Sequence, residues 1–160
     1  MPRAINDKPN QDRETPQWLF RLLDDEFSFT LDGAADESNA KCDEYLDEGI
    51  DALSVPWDDD LCDVIWINPP YGRGRDLEAW VHKAWQESQD RPTVVMLLPA
   101  SVDTHWWHDY VLDSAEIRFI NGRLKFDDLP GPGWFANVIV IFRPGQDKAF
   151  LGPAINARGH

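Results

Sequence analysis

Residues 61–72, "LCDVIWINPPYG", decide the reading of the fold. The run from Leu61 to Ile67 is almost continuously apolar, without the alternation of a strand wetted on one face, and it stops at two adjacent prolines. Such a run fits a strand covered on both faces of a sheet, and proline ends it because it has no N–H for the ladder. A glycine-bearing loop follows, and then "DLEAWVHKAWQESQ" (76–89) places Leu77, Trp80, Val81, Ala84 and Trp85 on one helical face. The unit reads strand, turn, helix.

The same logic extends in both directions. Upstream, "TPQWLFRLLDDEF" (15–27) has Trp18, Leu19, Leu22 and Leu23 at helical spacing, with Thr15 as N-cap and Pro16 at the first helical position. "FSFTLDGAAD" (27–36) then reads as a short strand running into a tight loop at Asp32, Gly33 and Ala34, and residues 36–60 read as acidic and irregular. Downstream, "TVVMLLPA" (93–100) and "NVIVIFR" (137–143) are buried strands, and "THWWHDYVL" (104–112) is a short helix capped by Thr104. "AEIRFINGRLKF" (115–126) reads as two strands joined at Asn121-Gly122, the preferred two-residue hairpin turn. "PGQDKAFLGPAINARGH" (144–160) has the composition of a loose tail. The expected organisation is a flexible segment over 1–14, one catalytic domain over 15–143 and a flexible tail over 144–160. The expected fold is α/β with a mostly parallel central sheet and an antiparallel hairpin near the C-terminus.

In sheets of this class ligands bind at the carboxyl ends of the strands, where Asp32 and Asn68 fall. An amine conjugated to an aromatic ring is a poor nucleophile because its lone pair is delocalised. If the Asn68 side-chain carbonyl and the Pro69 main-chain carbonyl each accept one amine hydrogen, the nitrogen moves toward tetrahedral geometry and its lone pair becomes available to an electrophilic methyl. Pro69 and Pro70 fix the backbone before substrate arrives. Tyr71 offers a flat face on which a base turned out of its helix stacks. The plain alternative is that Pro69-Pro70 only ends a strand and Tyr71 packs on the core. The following glycine loop and helix favour the chemical reading.

Composition sets further bounds. A chain of 160 residues accommodates one domain with a sizeable core. No long apolar stretch suggests a membrane span, the polar N-terminus lacks a signal-peptide core, and a cytoplasmic location is expected, that of the host if the protein is viral. Only Cys42 and Cys62 occur, without metal-ligand spacing, so no metal is expected and both read as reduced structural thiols. The net charge of −14 and pI near 4.4 oppose a polyanionic partner at first sight. The acid is spread through many segments and Lys is scarce, a pattern suited to a salt-rich, halophilic setting in which repulsion is screened to a few Å.

The order of "TPQWLF", "FTLDGAADESNAKC", "INPPYG", "VVMLLPASVDTHWWHDYV" and "EIRFINGRLKF" resembles the phage and prophage Dam-like DNA N-6-adenine-methyltransferase family. The resemblance implies a Rossmann-like, S-adenosylmethionine-dependent methyltransferase fold acting on DNA, with Asn68, Pro69, Pro70 and Tyr71 as the catalytic motif. It also implies that Thr15 and Pro16 lie near the methionine end of the cofactor, and that Asp32, Gly33 and Ala34 form a degenerate cofactor loop. Gly33 departs from the bulkier residue expected after Asp32. Arg73, Arg75, Arg123 and Lys125 are candidates for phosphate contacts, with solvated side chains as the alternative. Asp103 and Thr104 fall at the ligand edge. His105 and His108 read as surface or packing residues, and Trp106 and Trp107 as core or interface packing, with stacking on bases as the alternative. Rival readings are methylation of a protein glutamine amide or of RNA by the same motif, and a non-catalytic acidic module that mimics DNA. The short chain leads one to expect loose site specificity, or a homodimer supplying further contacts.

Overall fold

The computed structural model describes residues 14–35, 40–42, 45–47, 52–57, 63–70, 75–126 and 135–160. Of the residues singled out above, Cys62, Tyr71 and Arg73 lie outside this set, as does the side chain of Arg75.

Helix α1 spans Gln17–Phe27 and is followed by β1 (Leu31–Ala35), β2 (Tyr45–Asp47) and β3 (Val64–Ile67). Helix α2 (Arg75–Glu87) leads into β4 (Thr93–Pro99). A π-helical turn over Trp107–Val111 and a short α3 (Leu112–Ser114) precede β5 (Glu116–Asn121), β6 (Asn137–Phe142), β7 (Phe150–Leu151) and β8 (Ile155–Asn156). Among the described residues the sheet order is β2-β1-β3-β4-β6-β5-β7, with β8 also on β5. β1 pairs parallel with β2 and β3, and β3 pairs parallel with β4. β6 is antiparallel to both β4 and β5. The expected α/β sheet, mostly parallel with an antiparallel component near the C-terminus, is the observed architecture.

Each apolar run divides its side chains between two cores, as its continuous hydrophobicity requires. Ile65, Ile67, Val94, Met96, Leu98, Val138, Val140 and Phe142 face α2 and the π-helical turn, together with Trp57, Trp80, Trp106 and Trp107. Trp66, Val95, Leu97, Ile139 and Ile141 face α1 through Leu19, Phe20 and Leu23, whereas Leu22, expected on that helical face, is 50% exposed because Phe20 takes the place against Trp66. Trp66 is fully buried, with Phe20 edge-on at 5.9 Å and Phe29 tilted at 5.5 Å between ring centres. A buried side chain of this size contributes about 2 kcal/mol or more. Trp106 and Trp107 are core residues, as read from the sequence.

Four local expectations give way to tertiary demands. Pro16, not Thr15, caps α1: its φ of −54° and ψ of 131° are non-helical, and its carbonyl accepts the N–H groups of Leu19 and Phe20, both at 3.1 Å. The Thr15 hydroxyl is engaged elsewhere. The Asn121-Gly122 hairpin does not form, although Gly122 has a positive φ of 98°. Both edges of β5 are already taken, by β6 on one side and by β7 and β8 on the other. The chain after Gly122 turns instead to bury Leu124 and Phe126 in the α1-side core. Within the segment read as irregular, Tyr45–Asp47 forms the edge strand β2. The segment 144–160, expected to be loose, docks on β5 through β7 and β8, with Ile155 and Ala157 buried.

That docking closes over a charged cluster. Arg118 is 6% exposed and donates to both Glu26 carboxylate oxygens, at 2.8 and 2.7 Å, and through Nε to Glu116 at 3.1 Å. Arg143 reaches Glu116 at 3.3 Å, and both guanidinium groups lie over the Phe27 ring. Gly152 passes so close that a Cβ there would stand 2.7 Å from Glu116 Oε1. The cluster ties the end of α1 to β5, β6 and the C-terminal edge.

Arg118→Met leaves Glu116 buried with only Arg143, so a loss of about 3 kcal/mol of unfolding free energy is expected in urea denaturation. The Arg118 hydrogen bond holds the Glu26 carboxyl below its ordinary value of 4.5. A lowered folded-state value stabilises above the unfolded pKa and is lost as pH falls through the folded one. The stability gap between the native chain and Glu26→Gln is therefore expected to be full at neutral pH and to close below 4.5, read from denaturation midpoints across pH.

Candidate functional site

β4 and β5 are both antiparallel to β6, and β3 and β1 run with β4, so the carboxyl ends of β1, β3, β4 and β5 lie at one edge of the sheet. Asn68 and Pro69 follow β3 directly at this edge. Because Ile67 pairs with Met96, Asn68 stands one step beyond the paired strands, where its side chain can turn outward.

The amide Nδ2 of Asn68 donates to the Thr15 hydroxyl at 3.1 Å. Thr15 is 3% exposed and precedes α1, so the start of that helix and the end of β3 are joined at one point. With its nitrogen committed to Thr15, the amide has a defined orientation and its carbonyl oxygen is directed away from the hydroxyl. Pro69 is buried and Pro70 half-buried beside it. Sequence reading placed Thr15 near a cofactor; its contact with Asn68 was missed because residues 53 apart carry no local signal of proximity.

Asp32 lies in β1 beside β3, opposite Trp66. Asp32, Gly33 and Ala34, expected in a tight loop past the strand, lie within β1 itself because Asp32 pairs opposite Trp66. The Asp32 carboxylate accepts the backbone N–H of Ala34 at 3.2 Å and of Lys41 at 3.0 Å, so it ties Lys41 to β1. Burial pushes its carboxyl above the ordinary value, against the opposing effect of those two N–H groups. Gly33 has a packing reason: a Cβ there would lie 3.0 Å from Ile67 Cγ1 and 3.3 Å from Ile65 Cγ2. The glycine lets β1 approach the strand that carries Asn68.

On the other side of the motif, an open cavity of about 570 Å³ lies beyond β4, lined by Leu77, Pro99, Ser101, Asp103, Thr104 and Trp106 among others. Its size suits a nucleobase-sized group with room to spare. Asp103 and Thr104 both reach this cavity. Thr104 also caps the following turn, its hydroxyl donating to the Ser101 carbonyl at 2.7 Å and receiving the Trp107 N–H at 3.4 Å. His105 and His108 are exposed, and His108 Nε2 meets the Val102 carbonyl at 2.9 Å. Arg123 and Lys125 emerge past Gly122, beyond the end of β5, and are exposed.

The arrangement thus has buried Asp32 of β1 on one side of Asn68, a cavity after β4 on the other, and the asparagine amide oriented between them.

The family profile described as DNA N-6-adenine-methyltransferase (Dam) matches residues 4–144. The DNA N-6-adenine-methyltransferase of Escherichia phage T1 is 30% identical over 133 residues, which cover 82% of this chain and 53% of that protein. The chain thus spans about half the length of this curated relative. Among solved structures, a predicted O-methyltransferase from Agrobacterium tumefaciens aligns over 73% of this chain and 57% of its own, at 15% identity and a TM-score of 0.42. With the profile matched over most of its length, the chain belongs to the DNA N-6-adenine-methyltransferase (Dam) family.

Proposed function

We propose that the protein transfers a methyl group from S-adenosylmethionine to the 6-amino group of adenine in DNA. The observation that carries the proposal is the contact between Thr15 and Asn68 at the carboxyl edge of the sheet. It joins the segment assigned to the methionine end of the cofactor to the residue assigned to the acceptor amine. Methyl donor and acceptor nitrogen must approach to within one transfer distance, so the residues that hold them must be neighbours. In that respect the residues fit the cofactor: Thr15, Pro16 and the Asp32, Gly33 and Ala34 stretch of β1 would hold it, and when bound it supplies an electrophilic methyl.

The protein's own part is to make the amine nucleophilic. Asn68, its amide orientation set by Thr15, accepts one amine hydrogen through its side-chain carbonyl, and the Pro69 carbonyl accepts the other. These two acceptors draw the lone pair out of conjugation with the ring. Because both are in place before substrate binds, little reorganisation is required in the transition state. The acceptor nitrogen so prepared would take the methyl that a bound cofactor supplies, and would release one of its protons to solvent. Tyr71 is assigned the stacking face for the flipped base, and the cavity beyond β4 is where that base is received. Arg73 and Arg75 remain assigned to phosphate contacts next to the motif.

Labelled-methyl transfer to duplex DNA, RNA and protein, run in dilute and in molar salt, tests the proposal. Label recovered as 6-methyladenine in DNA is expected, and label in RNA or glutamine instead would reassign the substrate. Asn68→Ala is expected to lower the transfer rate by about 100- to 1,000-fold, the usual cost of one preorganised transition-state partner.

Thr15→Val is expected to slow transfer roughly tenfold, equivalent to one hydrogen bond of about 1.4 kcal/mol. Thr15→Ser should restore the rate. Weakened cofactor affinity in calorimetry with an unchanged rate would put Thr15 on the cofactor alone.

A further inference from the structure

The C-terminal segment builds a basic surface at the same edge as the motif. β8 runs parallel to β5, with Ile155 opposite Ile120 and Asn156 opposite Asn121, so residues 157–160 emerge where β5 delivers Gly122, Arg123 and Lys125. The two segments are pinned by the Ala157 N–H to Asn121 carbonyl bond at 2.9 Å. Between them lies an open depression of about 520 Å³ lined by Gly122, Arg123, Lys125, Ala157, Arg158, Gly159 and His160. Among the described residues no carboxylate side chain lines it.

This concentration of positive charge is anomalous in a chain of net charge −14. Three cations of the scaffold are neutralised: Arg118 and Arg143 by Glu26 and Glu116, and Lys83 by Glu87. Arg123, Lys125 and Arg158 make no ion pair with any described residue, and all three are exposed. Local charge, more than net charge, sets what binds at a surface.

The depression is also coupled to the motif. The His160 ring stacks on Trp18 at 4.0 Å between ring centres with planes 10° apart. Trp18 lies one helical turn from Thr15, which holds Asn68. Across the sheet, β5 is three strands from β3, roughly 14 Å at the usual strand spacing. A duplex engaged at Asn68 would pass this point with its backbone.

We propose that Arg158, together with Arg123 and Lys125, forms a phosphate-binding surface for the DNA backbone flanking the target adenine, assembled by docking of the C-terminal segment. The inference rests on the function proposed above and adds the residues by which an acidic protein holds a polyanion. Phosphate contacts of this kind position the duplex without reading its sequence.

The test compares Arg158→Gln and the double variant Arg123→Gln/Arg158→Gln with Lys148→Gln. Lys148 is an exposed cation preceding β7, and its loss changes net charge by the same amount as the loss of Arg158. Duplex affinity is measured by fluorescence anisotropy over a range of salt, alongside methyl transfer and calorimetric affinity for S-adenosylmethionine. Arg158→Gln is expected to weaken duplex binding several-fold and to lower the steepness of log K against log salt by about 0.9, and the double variant by about 1.8. Lys148→Gln should leave the steepness unchanged, and cofactor affinity should be unchanged in all three. Arg158→Gln behaving like Lys148→Gln, in a protein that methylates DNA, would overturn the phosphate surface while leaving the function intact. A native protein that transfers no methyl to DNA would instead overturn the proposed function, and the anisotropy comparison would still decide whether the surface binds the backbone.

Discussion

Two-sided burial of β3, β4 and β6 is the constraint on which the rest of the molecule depends. Strands whose residues are apolar on both faces must lie in the middle of a sheet with covering layers on each side, and α1 and α2 provide those layers. Once β3 is central and parallel to both neighbours, its carboxyl end faces the same edge as those of β1 and β4. Asn68 and the prolines then stand where the sheet stops, with backbone carbonyls released from strand pairing. The motif is positioned by the core, and it costs the core nothing because proline could not have continued the strand.

The edge gains its chemistry from long-range meetings. Thr15 and Asn68 are brought together because α1 packs across Trp66 and Val95 on one face while the chain before it crosses the end of β3. Gly33 allows β1 to close against Ile65 and Ile67 on the other side. Asp32, buried and engaged by the N–H groups of Ala34 and Lys41, ties Lys41 to β1 more than it presents a charge. A residue selected from sequence as a cofactor carboxylate thus acts first as a local organiser of the backbone around β1.

The C-terminal segment illustrates how local and global demands compete. Asn121-Gly122 has the local chemistry of a tight hairpin, and Gly122 does take a positive φ. A hairpin there needs a free edge of β5, and docking of β7 and β8 removes it. The winning arrangement buries Leu124, Phe126, Ile155 and Ala157 and closes over the Arg118 cluster. Apolar burial and satisfaction of a buried guanidinium together outweigh the preference of one dipeptide. The same docking brings Arg158 beside Arg123 and Lys125, so a stability requirement and a charged surface share one structural cause.

The sequence by itself determined the central strands, the helical face of α2 and the place of Asn68-Pro69 at the carboxyl end of β3, and it favoured packing over base stacking for Trp106 and Trp107. Each of these rests on periodicity or on backbone chemistry confined to neighbouring residues, and both survive in a linear reading. Tertiary structure alone decided the cap of α1, the partners of β5, the packing reason for Gly33, the pairing of Thr15 with Asn68 and the docking of residues 150–157. These depend on which distant segment reaches a hydrogen-bond donor or an open strand edge first in the balance of burial and pairing. That balance is struck across the whole core, where no short stretch of chain holds the information.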